Sequence, residues 1–270
     1  IVRAARQGLE DWAGGQSIHS QGFKPSRIEF IHTLNHSRSG VPVVPRRLLP
    51  LSIKTRLGFD CVVVERWVEH LLAARPAAIT LHGRTLQQMY RGAADWSAIA
   101  EAAKLAHGTG TLMLGNGDLN TLVDAIRRAA ESKVQGVLVG RGTLGSPWFF
   151  REKEQARRAF SERDDLSTLP ATAWEPPVSV THRMQVMLDH ARQYEAIAGR
   201  ARVGSIRKHL GWYCKGFPHA AAMRGKMFGA SNVQDVERIV AEFCQELMQA
   251  ERDASAPTPL AAQTSSVSAA

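Results

Sequence analysis

The chain has 270 residues, 44% of them hydrophobic and 22% charged, which is the composition of a globular protein with room for one large domain or two smaller ones. No apolar run reaches the roughly 18 residues of a membrane-spanning helix. Cys61, Cys214 and Cys244 are far apart and form no C-x-x-C pair, which argues against a zinc ribbon or a disulfide framework and fits a reducing, cytoplasmic setting. A formal charge of +9 and a pI near 9.9 suit a polyanionic partner such as nucleic acid, although a basic protein without such a partner has the same balance.

In chain order, Ile1–Arg6 already carries a helical pattern with no cap before it. We therefore expect the numbering to start inside an element, with residues 1–8 the end of a helix stopping near Gly8. A targeting segment upstream would not be visible. Residues 9–50 lose periodicity under Gly14, Gly15, Pro25, Gly40, Pro42, Pro45 and Pro50, and read as an irregular insertion or surface loop. Within it, residues 27–32 suit a short helix or strand. From Leu51 the pattern is regular. Strands are expected over 51–56, 78–82, 111–114 and 136–139, and helices over 62–74 and 96–106 and from an Asn120 cap to about Ala130. The strands are short apolar runs, as in parallel sheets covered by helices. Four such units make either the second half of a (β/α)8 TIM barrel or a small open sheet, with residues 51–160 as its extent. Leu169-Pro170 and Glu175-Pro176-Pro177 mark a linker over 161–177. Residues 178–250 then read as helices only (178–197, 201–212, 220–228 and 233–249), and 251–270 as a disordered tail rich in Ala, Ser, Thr and Pro.

Polar and glycine-rich clusters end each strand, the edge that carries active sites in both architectures. Asn116-Gly117-Asp118 and Gly140-Arg141-Gly142 let backbone amides approach an anion, and Arg141 adds a charge-assisted bond; each alone is equally a tight turn. Lys54 is either a rim lysine or a cation facing a ligand. His82, followed by Gly83-Arg84-Thr85, is either a satisfied turn histidine or a hydrogen-bonding group, with Arg84 in reach of a phosphate. His32 and His36 are four residues apart, but no further ligand accompanies them, and no metal site is expected. In the helical region Arg200, Arg202, Arg207, Lys208, Lys215, Arg224 and Lys226 interleave with His209, Trp212 and Tyr213 and with no acid. That is either a solvated face or a surface for phosphates and exposed bases, with Trp212 more a core residue than a stacking one.

Taken in order, six blocks resemble the tRNA-dihydrouridine synthase family over about Leu51–Phe228. They are Ser52–Gly58, Ile79–Thr85, Tyr90–Trp96, Gly115–Asp118, Gly140–Trp148 and Arg207–Tyr213. The resemblance implies a flavin-binding TIM barrel followed by a helical tRNA-binding domain. It implies that Lys54 and His82 contact FMN and the target uracil. It assigns Asn116, Gly117, Asp118, Gly140 and Arg141 to the FMN phosphate. It makes Arg56, Arg84, Arg207, Lys208, His209 and Tyr213 candidates for substrate or tRNA contacts. The implied reaction is reduction of FMN by NADPH, hydride transfer to C6 of uracil, and protonation of C5 by a cysteine. The position of that acid falls before Ile1, and none of the three cysteines matches it. The 270-residue chain is accordingly expected to be inactive alone. The alternatives are an FMN-dependent barrel oxidoreductase acting on a small molecule, and a non-catalytic tRNA-binding relic.

Overall fold

The computed structural model describes residues 1–39, 46–161, 170, 172–174 and 178–255. The chain divides into two compact units, Ile1–Gly142 with Phe149–Glu175, and Thr143–Trp148 with Pro176–Ala270.

The first unit is mixed α/β. It contains α1 (Val2–Ala13), α2 (Pro25–Ser39), β1 (Ser52–Arg56), α3 (Val64–Leu72), β2 (Ala78–His82), α4 (Trp96–Ala106), β3 (Leu112–Asn116), α5 (Leu122–Ser132), β4 (Gly136–Leu138) and α6 (Lys153–Ser161). The four strands are parallel and lie in the order β1-β2-β3-β4. Because side chains alternate along a strand, one face carries Ile53, Ile79, Leu81, Met113 and Val137. These pack with Val64, Val68 and Leu71 of α3, Ile99, Ala102 and Ala103 of α4, and Ala125 of α5 in one core. The crossover helices thus share a face, and consecutive strands are neighbours. A doubly wound sheet instead reverses its strand order and has helices on both faces. The opposite face is Ser52, Lys54 and Arg56, then Ala78, Thr80 and His82, then Leu112, Leu114 and Asn116, then Gly136 and Leu138. Ser52, Lys54, Leu112 and Leu138 on it are exposed.

Two expectations for the first fifty residues are corrected. The first helix does not stop at Gly8; it continues to Ala13 and ends at Gly14. A helix-interior glycine costs only about 1 kcal/mol and slows a helix without ending it. Residues 9–50 are not irregular throughout, because α2 forms, with Pro25 at its first position, where the missing N–H costs nothing. The short helix or strand expected over 27–32 lies inside it, and its full length escapes periodicity analysis because Ile28 is its one buried residue among those whose side chains are described. Residues 40–45, most of 161–177 and 256–270 lie outside the described residues, so the linker and tail expected there have no structural account. The third strand runs on to Asn116, and the α5 cap is Thr121, whose Oγ1 accepts from the Asp124 amide at 3.0 Å, not Asn120.

The second unit is helical among its described residues: α7 (Val180–Ala198), a 3-10 turn (Arg200–Ile206), α8 (Arg207–Tyr213), α9 (Ala220–Gly229) and α10 (Val233–Ser255). The single helix expected over 201–212 is thus split at Ile206. Met184, Met187, Ile206, Leu210, Met223, Met227, Val236 and Phe243 form its core. Thr143–Trp148 belongs to this unit, although it follows the fourth strand directly. A Cβ on Gly145 would collide with the Trp212 carbonyl oxygen, the Lys215 ammonium donates to the Leu144 carbonyl at 3.2 Å, and Trp148 lies against His182 and Arg183.

The link between fold and site is Trp96. Its ring occupies the place where a Cβ on Gly115 would be, and its indole N–H donates to the Gly117 carbonyl at 3.1 Å. The first residue of α4 therefore seats the turn that ends β3. Gly115→Ala is expected to lower stability by about 1–3 kcal/mol, the usual range for forcing a methyl group into a packed core. Urea unfolding checks this, and an unchanged midpoint would show that the Trp96 packing is not tight.

Candidate functional site

The ladders set Arg56, His82, Asn116 and Leu138 level across the four strands, at their C-terminal ends. Lys54 stands two residues below Arg56 on the same face. Six of the expected cofactor and substrate residues (Lys54, Arg56, His82, Asn116, Gly117 and Asp118) therefore converge on one edge of one sheet, with Arg84 and Arg141 joined to them through Asp118.

The turn after β3 is built for close approach. Gly117 has φ +136° and Asp118 φ +48°, both in the left-handed half of the map, which favours glycine and, next, Asp or Asn. A Cβ on Gly117 would lie 2.5 Å from the Ala94 methyl and 3.3 Å from the His82 ring. Only glycine fits this cradle. At Gly140, by contrast, a Cβ would meet nothing within 4 Å. The Asn116 amide is already spent on the Leu138 carbonyl, at 2.7 Å.

Asp118 is the hub. One carboxylate oxygen, Oδ2, accepts from Arg84 Nη2 at 2.5 Å and from the Ala94 amide at 2.8 Å; the other, Oδ1, accepts from Arg141 Nη2 at 2.9 Å. Burial alone would raise the Asp118 carboxyl, but the Arg84 hydrogen bond, the Ala94 amide and the charges of Arg84 and Arg141 together hold it below the usual carboxylate range. Arg84, expected to reach a phosphate, is instead 2% exposed and also donates to the Gly92 carbonyl at 2.6 Å. Its Nε and Nη1 have no partner among the described residues. Through its bonds to Gly92 and Asp118 it anchors residues 84–94. Arg141 is more than half exposed, and its guanidinium carbon sits 4.8 Å from the centre of the Tyr90 ring. Sequence reasoning gave Tyr90 no site role, because nothing in its spacing marks it as a neighbour of a residue fifty positions on. Arg56 donates to the Thr85 carbonyl at 2.9 Å, tying β1 to the same loop.

His82 is neutral here. Burial first, then the positive charges of Arg56, Lys54 and Arg84, push its pKa down to about 4, against a smaller opposing pull from Asp118. Lys54 is lowered too, by burial and then by Arg56. Among the described residues the edge thus gathers Lys54, Arg56, Arg84 and Arg141 around the Asp118 carboxylate, a field that favours an anion.

In the second unit the expected residues divide. Lys208 and His209 are exposed and flank Trp212, with the Lys208 ammonium 5.4 Å from the centre of its ring and the His209 ring 4.6 Å from it. Trp212 is half-buried, more accessible than a core tryptophan. Tyr213 is 6% exposed and its hydroxyl pairs with His190 at 3.2 Å, so its ring has no face to offer a base. Arg207 donates to the Ala230 carbonyl at 2.5 Å and so is tied to the end of α9. Among the described residues no group of three or more His, Cys, Asp or Glu is placed to hold a metal, and no helix is long and apolar enough to cross a membrane. Of the cysteines, Cys61 is exposed, with its thiol held up by a hydrogen bond to Asp60; Cys214 is buried and pushed up to about 11, chiefly by burial; Cys244 is half-buried.

The sequence profile of dihydrouridine synthases matches residues 37–252. The chain belongs to the dihydrouridine synthase family. It is 32% identical over 189 residues to probable tRNA-dihydrouridine synthase 1 of Synechocystis sp., covering 69% of this chain and 49% of that protein. It is 34% identical over 187 residues to the probable tRNA-dihydrouridine synthase of Mycobacterium leprae (66% of this chain, 44% of that protein) and 29% identical over 212 residues to that of Rickettsia bellii (75% and 59%). The chain spans about half the length of the curated relatives it matches. The synthase blocks quoted from the sequence fall where the geometry concentrates charge: Ser52–Gly58, Ile79–Thr85 and Gly115–Asp118 are three adjacent strands with their ends.

The His82 pKa has a direct test. Its NMR titration is expected to have a midpoint near pH 4, rising in Arg56→Met as one cation is removed. A midpoint near 6.5 in the unmodified protein would contradict the packing described. The stability consequence has a definite sign. The unfolded imidazole takes up a proton near 6.5 and the folded one only near 4, so this contribution is intact above pH 6.5 and is lost as pH falls through that window.

Proposed function

We propose that the chain serves the flavin-dependent, NADPH-driven reduction of uridine to 5,6-dihydrouridine in tRNA. In this reading it contributes the FMN phosphate grip and an RNA-binding surface. The observation that carries the reading is the convergence of Lys54, His82, the Gly117 cradle and Arg141 on one strand-end edge, in a member of the dihydrouridine synthase family. The first unit fits half of a (β/α)8 barrel, supported by its consecutive strand order and by helices packed on one sheet face. The second unit is read as the tRNA-binding domain.

The residues present suit FMN. The Gly117 turn packs on the Ala94 methyl and the His82 ring too closely for a Cβ and so sets its backbone beside His82 at the strand ends, where amides can meet an anion, and Arg141 can supply a charge-assisted bond to phosphate. When bound, FMN supplies hydride-transfer chemistry. Lys54 provides positive charge at the same edge. Neutral His82 provides a hydrogen bond without adding charge, and its low pKa keeps it neutral through the physiological range. Arg56 completes the positive rim from which uracil or tRNA phosphate is reached. On the second unit, Lys208 and His209 meet phosphate and the accessible edge of Trp212 meets a base.

Filter binding of tRNA across a salt series tests the RNA half of this reading. The logarithm of the affinity is expected to fall linearly with the logarithm of salt concentration, and Lys208→Gln to flatten that slope by up to about one unit. A salt-independent affinity would contradict a tRNA-binding role.

A further inference from the structure

Among the described residues Asp118 is the one acid paired with the cations of this edge, and a carboxylate repels a phosphate placed beside it. Both of its oxygens are already committed to Arg84, Ala94 and Arg141. We propose that Asp118 is a positioning residue: its carboxylate holds Arg141 in the orientation that receives the phosphate of FMN, with Tyr90 as the second wall of the clamp, and it does not bind the phosphate through its side chain. This rests on the flavin reading above.

The two oxygens divide the work. Oδ2 is turned inward, to the buried Arg84 and to the Ala94 amide, and fixes the carboxylate against residues 84–94. Oδ1 is turned outward and holds one Nη2 of Arg141. The face of the same guanidinium lies against the Tyr90 ring, and Tyr90 is carried by the loop that Arg84 and Asp118 pin at Gly92 and Ala94. An arginine loose in solvent loses side-chain freedom when it grips an anion. Arg141, held by a carboxylate at one edge and an aromatic ring at one face, has lost much of that freedom beforehand. Its remaining N–H groups are left for a ligand, and a planar guanidinium can offer two of them together to phosphate oxygens.

The arrangement has a counterintuitive consequence. Charge counting predicts that removing an acid beside a phosphate site tightens phosphate binding. Positioning predicts that it weakens. Asp118→Asn separates these cleanly. Its carbonyl oxygen can replace Oδ2 and keep the Arg84 and Ala94 bonds, which turns the amide NH2 toward Arg141, donor against donor. The inner anchor survives and the outer hold is broken.

The experiment compares FMN with riboflavin, which differ by the phosphate alone, in equilibrium titrations of the 270-residue protein by flavin fluorescence. The unmodified protein is expected to prefer FMN. In Asp118→Asn that preference should fall about tenfold, the scale of one charge-assisted hydrogen bond, with riboflavin affinity unchanged. Tyr90→Leu should fall in the same direction by less, and carries the test if Asp118→Asn does not fold. Arg141→Met should abolish the preference, and adding Asp118→Asn to it should cost nothing further, because Asp118 acts through Arg141. A preserved or increased preference in Asp118→Asn overturns the proposal, and so does equal weakening of both flavins, which would mark a purely structural residue. If the unmodified protein does not distinguish FMN from riboflavin, the flavin reading itself falls and the positioning role falls with it.

Discussion

The geometry of the sheet edge depends on one side chain placed between two arginines. Asp118 joins Arg84, sealed under residues 84–94, to Arg141, which faces solvent after the fourth strand. Removing one partner from a buried ion pair typically costs about 3–5 kcal/mol, because the survivor is left charged and desolvated. Arg84 is in that position, with two nitrogens already lacking partners among the described residues. The positive φ of Asp118 is the local strain that buys this placement, and the Gly117 turn before it and the Ala94 amide opposite make that conformation the one that fits.

What surrounds this hub follows from ordinary packing. The helices bury one face of the sheet, so charged side chains in the strands can only stand on the other. Lys54, Arg56 and His82 do so with a period of two across β1 and its neighbour β2. Burial first, and their mutual repulsion second, leave the histidine neutral and lower the pKa of the lysine. An anion bound at this edge would relieve that repulsion and would add to the stability of the folded state. In the second unit the same economy appears in reverse. There Arg207 and Tyr213 are held within the helical packing, while Lys208 and His209 flank Trp212 and Arg200, Arg202 and Arg224 are exposed.

The sequence was legible where burial imposes a period. The strand over Ala78–His82 and the helix over Trp96–Ala106 form with the boundaries expected, because both are buried and alternate or repeat cleanly. It was only partly legible at α2, which has no apolar stripe and was read as a short helix or strand over 27–32 alone, and not at the change from 3-10 to α geometry between Ile206 and Arg207. For the site, the sequence motifs put Lys54, Arg56, His82 and Asn116–Asp118 at strand ends, where the structure also has them, but did not give their contacts. Arg84 was expected at a phosphate and is buried; Tyr213 was expected at RNA and is in the core; Tyr90 had no site role and lies on Arg141. These are facts of orientation, and residue type and spacing do not encode them.

A crystal structure of this protein soaked with FMN tests the central claim most directly. The account predicts phosphate density at the Gly117–Asp118 turn and the Gly140–Arg141 turn, with Arg141 donating to it while still held by Asp118. Phosphate density elsewhere on the molecule, or an Arg141 that leaves Asp118 in order to reach it, would contradict the account.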